Sequence, residues 1–279
     1  MPRSTTTTID YDRAGSGEPV VLVHGIGHRR EAWGQVPALL LAAGYEVITV
    51  DLPGFGRSPM PRRPDKASVK STVTQLERFF AEIGLDRPHV IGNSLGGLMV
   101  LLLASNRTVR SATALSPAGF VPLRHLPWVT FALMLLKISS LLPRRIVRFA
   151  SDRVWMRRIS LRPLYVHPEK VPPEVAYGDA LNLRSSPGFW PHMLRGPWLR
   201  YVDGVDSDEG PRVPTTVAWG DTDRLLLPSQ ARIARDRMPR AEHVTLAHCG
   251  HCPQVDDPDL VVRVAEETFL RGQVKRQAA

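Results

Sequence analysis

Nine residues, His89-Val90-Ile91-Gly92-Asn93-Ser94-Leu95-Gly96-Gly97, limit what this chain can fold into more than any other stretch. Val90 and Ile91 close an apolar β-branched run, and Leu98 to Leu103 continue without a polar residue. A buried strand must therefore pass into a buried helix with almost no connecting loop. A turn that sharp leaves no room for side chains two residues either side of its apex, and glycine at 92 and 96 meets that condition. Ser94 then stands at the apex, where the free N–H groups of the following helix favour an anion. A lone Gly-x-Ser-x-Gly also fits an ordinary strand–turn–helix, so its meaning depends on what the rest of the chain supplies.

What surrounds it is an alternation of strands and helices. Thr5 to Asp12 reads as an opening antiparallel strand. Val20-Val21-Leu22-Val23 and Val47-Ile48-Thr49-Val50 are continuous apolar runs, as in strands buried on both faces. Helical spacing is found over residues 31–43 and, with Ser68 as N-cap and Gly84 as stop, over 68–84. Ala112 to Leu115 adds another strand. The alternation breaks after Gly119, and residues 120–211 are rich in Pro, Trp and Arg and mostly helical in pattern. It resumes with strands at 214–219 and 243–246 and helices at 228–238 and 257–271, leaving Gln273 to Ala279 as a frayed tail. The pattern predicts an α/β chain with a mostly parallel central sheet, residues 1–119 and 212–279 forming the core and 120–211 an inserted, mainly helical unit.

Composition narrows the function classes. Hydrophobic residues make up 43% of the 279, enough for a sizeable core, and the first residues hold no apolar leader, so a cytoplasmic location is the expectation. The net charge of +9 comes mainly from arginine. Arg144, Arg145, Arg148, Arg153, Arg157, Arg158 and Arg162 face only Asp152 between residues 144 and 162, yet no nucleic-acid module pattern accompanies them, so no nucleic-acid partner is expected. Cys249 and Cys252 form a C-x-x-C, but further ligands at zinc spacing are missing and two cysteines make no disulfide framework. No metal and no cofactor are expected.

Four landmarks then fall in one order: His24-Gly25-Ile26-Gly27, Gly92-Asn93-Ser94-Leu95-Gly96, Trp219-Gly220-Asp221-Thr222-Asp223 and Gly250-His251-Cys252-Pro253. Each follows a predicted strand, and together they resemble the cap-containing serine hydrolases of the α/β-hydrolase fold. The resemblance covers residues 17–117 and 212–271 and leaves the inserted cap largely unmatched. It implies Ser94 as nucleophile, His251 as its base and Asp223 as the acid that orients His251, with Asp221 the competing carboxylate. The backbone N–H groups of Leu95 and Ile26 would form the oxyanion hole. His24, Asp51 and Arg57 read as loop structure, and Asp256 either caps the closing helix or steadies the His251 loop.

The cap carries the substrate question. Trp128 to Leu142 is strongly apolar, interrupted by Lys137, and falls short of the roughly 20 residues that span a bilayer. It is either a helix packed on the core or a lid over an acyl pocket, with Trp128, Phe131, Leu135 and Leu136 as candidate substrate contacts. The expected partner is an apolar small molecule, and the arginine-rich neighbour adds the expectation of a weak membrane-surface contact through the cap. Oligomeric state is left open. Resemblance alone leaves several activities standing: an esterase acting through an acyl-enzyme, a C–C bond hydrolase of ring-cleavage products, a cofactor-free perhydrolase, or a ligand receptor or lipid carrier that keeps the fold. Gly92-Asn93-Ser94 resembles the C–C hydrolases, but Cys252-Pro253 stands where an aromatic residue usually follows their histidine. Epoxide hydrolases and haloalkane dehalogenases use an aspartate where this chain has Ser94.

Overall fold

The computed structural model describes residues 9–61, 68–195 and 211–277. Seven strands form one sheet in the order β1-β3-β2-β4-β5-β6-β7. They are β1 (Asp10–Ala14), β2 (Pro19–Val23), β3 (Glu46–Asp51), β4 (His89–Asn93), β5 (Ser111–Leu115), β6 (Thr215–Gly220) and β7 (Glu242–Leu246). All neighbours pair parallel except β1, which runs antiparallel to β3. The expected opening strand thus exists but lies at Asp10–Ala14, and residues 5–8 of that expectation lie outside the described residues.

Period-two alternation in β2 divides the core. Val20 and Leu22 pack on one face with Trp33, with Val36 and Leu40 of α1 (Val36–Ala42) and with Phe269 of α11 (Pro258–Gln277). Val21 and Val23 pack on the other face with residues of α2 (Val69–Glu82) and α3 (Leu95–Ser105). Helix α3 is buried from Leu95 through Ala104, so its all-apolar sequence is what a helix without a solvent face requires. Ser68 caps α2 with a reciprocal Ser68–Ser71 pair. The helix expected over 31–43 is two pieces, a 3₁₀ turn over Arg30–Trp33 and then α1. Gly34 sits between them at φ 53°, and Pro37 stands in the first turn of α1, where its missing N–H is not needed. The closing helix also outruns its expectation. It continues to Gln277, and Gln273 donates to Glu18 at 2.8 Å, so residues 273–277 are helical rather than frayed.

Between β5 and β6 come α4 (Leu126–Ser140), α5 (Arg144–Asp152), α6 (Val154–Ser160), α7 (Pro173–Ser185) and α8 (Phe189–Arg195). Helix α9 (Ser229–Arg237) lies between β6 and β7, and α10 (Pro253–Asp256) between β7 and α11. The inserted helices are held by charge at their ends. Lys137 of α4, buried and held down in pKa by that burial, donates to Leu183 and Arg184 carbonyls at the end of α7. Arg184 of α7 returns the contact to the carbonyls of Leu141 and Leu142 at the end of α4. Each cation thus neutralises the negative end of the other helix. Among the described residues no single helix is long and apolar enough to cross a membrane.

Candidate active site

The site is built where β2, β4, β6 and β7 end. Ser94 follows β4 at φ 57° and ψ −114°, a strained setting for a residue with a Cβ. A Cβ at Gly92 would run into the carbonyl of Gly96, and one at Gly96 into that of Val23, so both glycines are there because backbone crosses backbone. Pro117 lies against Gly97, and the Ser94 carbonyl accepts from Ala118 at 2.9 Å, fixing the apex from the β5 side.

His251 and Asp223 meet below the surface. Asp223 Oδ2 lies 2.9 Å from His251 Nδ1, with both residues about 2% exposed. The other carboxylate oxygen, Oδ1, accepts from the N–H groups of Leu225 and Leu226, each at 2.9 Å. An oxygen facing Nδ1 requires the proton on Nδ1, which leaves Nε2 as the free base. The competitor Asp221 is exposed and takes no part in this contact. The loops that carry Asp223 and His251 are laced together, since the Thr222 N–H and hydroxyl both donate to the Cys249 carbonyl, at 3.0 and 2.8 Å. Asn93, one residue before the apex, donates to the His251 carbonyl at 2.8 Å and ties the elbow to the histidine loop. Asp256 accepts from Gly250, Val166 and His167 N–H groups, so of its two expected roles it steadies the His251 loop and also fastens that loop to the cap. Asp257 caps the closing helix instead, accepting from Leu260. Among the described residues the Ser94 hydroxyl has no hydrogen-bond partner. The contact between such a hydroxyl and its base is commonly long until substrate binds.

The remaining expected positions are brought to the same place. Leu95 opens α3, and Ile26 lies in the loop after β2, whose Gly25 backs directly onto the Ser94 side chain. His24 fixes that loop. Its Nε2 accepts from the Leu52 N–H at 3.0 Å, so Nδ1 carries the proton and donates to the Gly25 carbonyl at 2.8 Å. Burial pulls this imidazole down from 6.5 to about 4. The unfolded chain then takes up a proton near pH 6.5 while the folded chain does not. The stabilisation is complete above pH 6.5 and is lost as pH falls toward 4, by about 3 kcal/mol over the window at 1.36 kcal/mol per unit. Burial also holds His28 and His89 below the usual imidazole value, so denaturant melts across that range should show a decline that His24→Gln makes shallower without removing; equal slopes in the two proteins would show that His24 does not contribute to it.

Asp51 and Arg57 are loop structure, as expected. Asp51 accepts from Arg30 side chain and backbone and from the Arg57 N–H, and Arg30 also pairs with Asp10. Cys249 and Cys252 are free and buried, and burial pushes both thiols up, Cys249 to about 12, so neither is a thiolate at neutral pH. Among the described residues no group of three or more His, Cys, Asp or Glu is placed to hold a metal ion.

A cavity of about 280 Å³ runs from Ser94 and His251 up into the cap. Its core-side wall is Gly25, Ile26, His28 and Asn93, and its cap-side wall includes Leu133, Leu136, Leu164, Val171 and Leu183. A second chamber of about 40 Å³ also borders Ser94, against Leu95 and Met193. Of the four cap residues expected to touch substrate, only Leu136 lines the large cavity. Trp128, Phe131 and Leu135 are corrected: they share the outward stripe of α4 and are 42, 59 and 55% exposed. Trp128 is further anchored by a bond from Nε1 to the Arg224 carbonyl at 2.8 Å. The apolar run has two apolar faces, and helical phase alone does not say which one looks inward.

Sequence reasoning missed other positions. Arg157 lines the cavity at 4% exposure, its Nη1 donating to the Ser151 carbonyl at 2.5 Å, its Nε without a partner and no carboxylate in salt-bridge range among the described residues. It sat unmarked within the arginine run. Asn182 of α7 donates to the Gly27 and His28 carbonyls and accepts from Gly56, seating the cap on the loop that holds Ile26.

Comparison with known proteins bears on the family and the fold. A family model described as the alpha/beta hydrolase family matches residues 20–264. Lipase 1 of Psychrobacter immobilis is 25% identical over 253 residues, covering 88% of this chain and 74% of the lipase. A 2-hydroxy-6-oxo-6-phenylhexa-2,4-dienoate hydrolase of Burkholderia cepacia is 23% identical, covering 95% and 92%. Among solved structures, a bacterial membrane phospholipase A superposes with a TM-score of 0.74 at 25% identity, covering 95% of this chain and 83% of that one.

Proposed function

The chain belongs to the alpha/beta hydrolase family, and from that premise we propose that it is a serine hydrolase cleaving a carboxylic ester of an apolar substrate through Ser94, His251 and Asp223. The observation that carries this reading is the buried Asp223–His251 pair, whose histidine lines the same apolar cavity as a serine held at a strained strand-to-helix turn. His251 Nε2 takes the hydroxyl proton as Ser94 Oγ attacks the ester carbonyl carbon. The resulting oxyanion lies against the N–H groups of Leu95 and Ile26, and Asp223 steadies the imidazolium. Collapse breaks the C–O bond, the alcohol leaves with the proton from His251, and water repeats the sequence to release the acid. The route uses no cofactor.

The two chambers beside Ser94 differ sevenfold in volume, which favours an ester with one long apolar part and one small part. Each methylene buried in the large cavity contributes up to about 0.8 kcal/mol, so kcat/KM for methyl alkanoates should climb with chain length until the cavity is full. Leu136→Asn, on the cavity wall, should flatten that climb, and Leu135→Asn, on the outer face, should leave it as in the wild type. Rates followed by acid release, with melting curves on the same proteins, check this; an unchanged profile in a stable Leu136→Asn protein would remove the cavity from substrate selection.

A second reading rests on Arg157. A ring-cleavage dienoate carries a carboxylate, and a buried guanidinium without a carboxylate partner suits one. The relative from Burkholderia cepacia is named for such a substrate. A dienoate assayed beside the esters separates the two, because the preferred substrate reports which bond is cleaved.

A further inference from the structure

The cap turns an uncommon amount of apolar surface outward. Ile138, Leu141, Leu142, Ile146, Phe149, Trp155 and Ile159 are each more than 40% exposed, and Ile159 reaches 68%. On α4 the stripe extends back through Leu135, Phe131 and Trp128, at the three- and four-residue spacing of one helix face. Single exposed apolar residues need no explanation, but a run of this density marks a surface that something covers.

The charges around it say what kind of surface covers it. Between residues 144 and 162 seven arginines stand against one aspartate. Arg148 is paired with Asp152 and Glu174, and Arg158 faces Glu169, but Arg144 and Arg145, at the exposed turn into α5, have no carboxylate within 4 Å among the described residues. Helix α5 carries Arg144, Arg145 and Arg148 beside Ile146 and Phe149, with Val147 and Ser151 turned inward. Apolar side chains flanked by free guanidinium groups fit an interface that is oily beneath and anionic on top. The axes on either side of this turn meet at 112°, so α4 and α5 do not continue one another as a single spanning rod.

The cavity reaches this same surface. Ser139, Leu142, Ile146 and Ser160 line it and are also exposed, so its mouth lies between the end of α4, the start of α5 and the end of α6. Ile138, Leu141, Phe149 and Ile159 are neighbours of those mouth residues along the chain or one helical turn away. We propose that this face of the cap docks on anionic lipid membranes, with the mouth of the cavity set against the bilayer so that apolar ligand passes from lipid into the cavity. Docking itself does not depend on the proposed ester chemistry, so Ser94→Ala protein should bind as the wild type does, whatever its activity.

Sedimentation with phosphatidylcholine vesicles, with and without phosphatidylglycerol, tests the proposal. Wild-type protein should pellet with the anionic vesicles and be released by added salt. A Trp155→Glu, Ile159→Glu double variant, altered only at outward-facing side chains, should bind at least about tenfold more weakly. Arg144→Gln with Arg145→Gln should also bind at least about tenfold more weakly. Both should keep the wild-type melting curve and the wild-type rate on a water-soluble short ester. Wild-type protein that stays in the supernatant, or variants that pellet as well as wild type, overturns the proposal. So does a wild-type dimer that the double variant converts to monomer, since the face would then belong to a second copy of this chain.

Discussion

Ser94→Ala should lower kcat/KM by at least about three orders of magnitude, or about 4 kcal/mol of transition-state stabilisation, while leaving the fold in place. The fold survives for a specific reason. Ser94 already holds a Cβ at φ 57°, and alanine keeps that Cβ without adding to the strain. The lost hydroxyl has no hydrogen-bond partner among the described residues, so its removal orphans nothing. A fluorophosphonate should label the wild type and not the variant. A folded Ser94→Ala protein that turns over at near wild-type rate would exclude Ser94 as the nucleophile, and a wild type that resists the label would return the receptor or carrier reading.

Asp223→Asn should be comparably damaging, by about 10⁴, through the tautomer of His251. The carboxylate is used at both oxygens: Oδ1 accepts from Leu225 and Leu226, and Oδ2 faces His251 Nδ1. Those two N–H donors hold the asparagine oxygen in the Oδ1 place and turn its amide NH₂ toward the ring. Nδ1 must then accept, the proton moves to Nε2, and the ring can no longer take a proton from Ser94. Asp221→Asn, at an exposed carboxylate, should stay within a few-fold of wild type. Initial rates of the two variants with matched melting curves check the assignment, and the reverse ranking would show that the acid is Asp221.

The two variants also mark how far the linear chain can be read. Apolar runs too continuous for one-sided strands forecast the parallel sheet, and Gly92 and Gly96 forecast the turn at Ser94, because backbone crossing backbone admits no other residue. Those constraints act within a few residues and leave a mark in the sequence. The choice of Asp223 over Asp221 is of another kind. Both follow the same strand, and what separates them is burial and the reach of His251 from 28 positions further on. The cap shows the limit most clearly. Trp128, Phe131, Leu135 and Leu136 are alike as apolar residues of α4, yet only Leu136 reaches the cavity, since packing against α7 and the core sets the rotation of the helix. Arg157, one arginine in a run of seven, is drawn inward in the same way. The sequence by itself determined the strand order along the chain, the strained serine and the candidate base. The family resemblance already named Asp223, and the structure brings that carboxylate to His251; which face of each cap helix meets the cavity was decided only in the tertiary structure, because that depends on contacts between segments far apart in the chain, which local spacing does not encode.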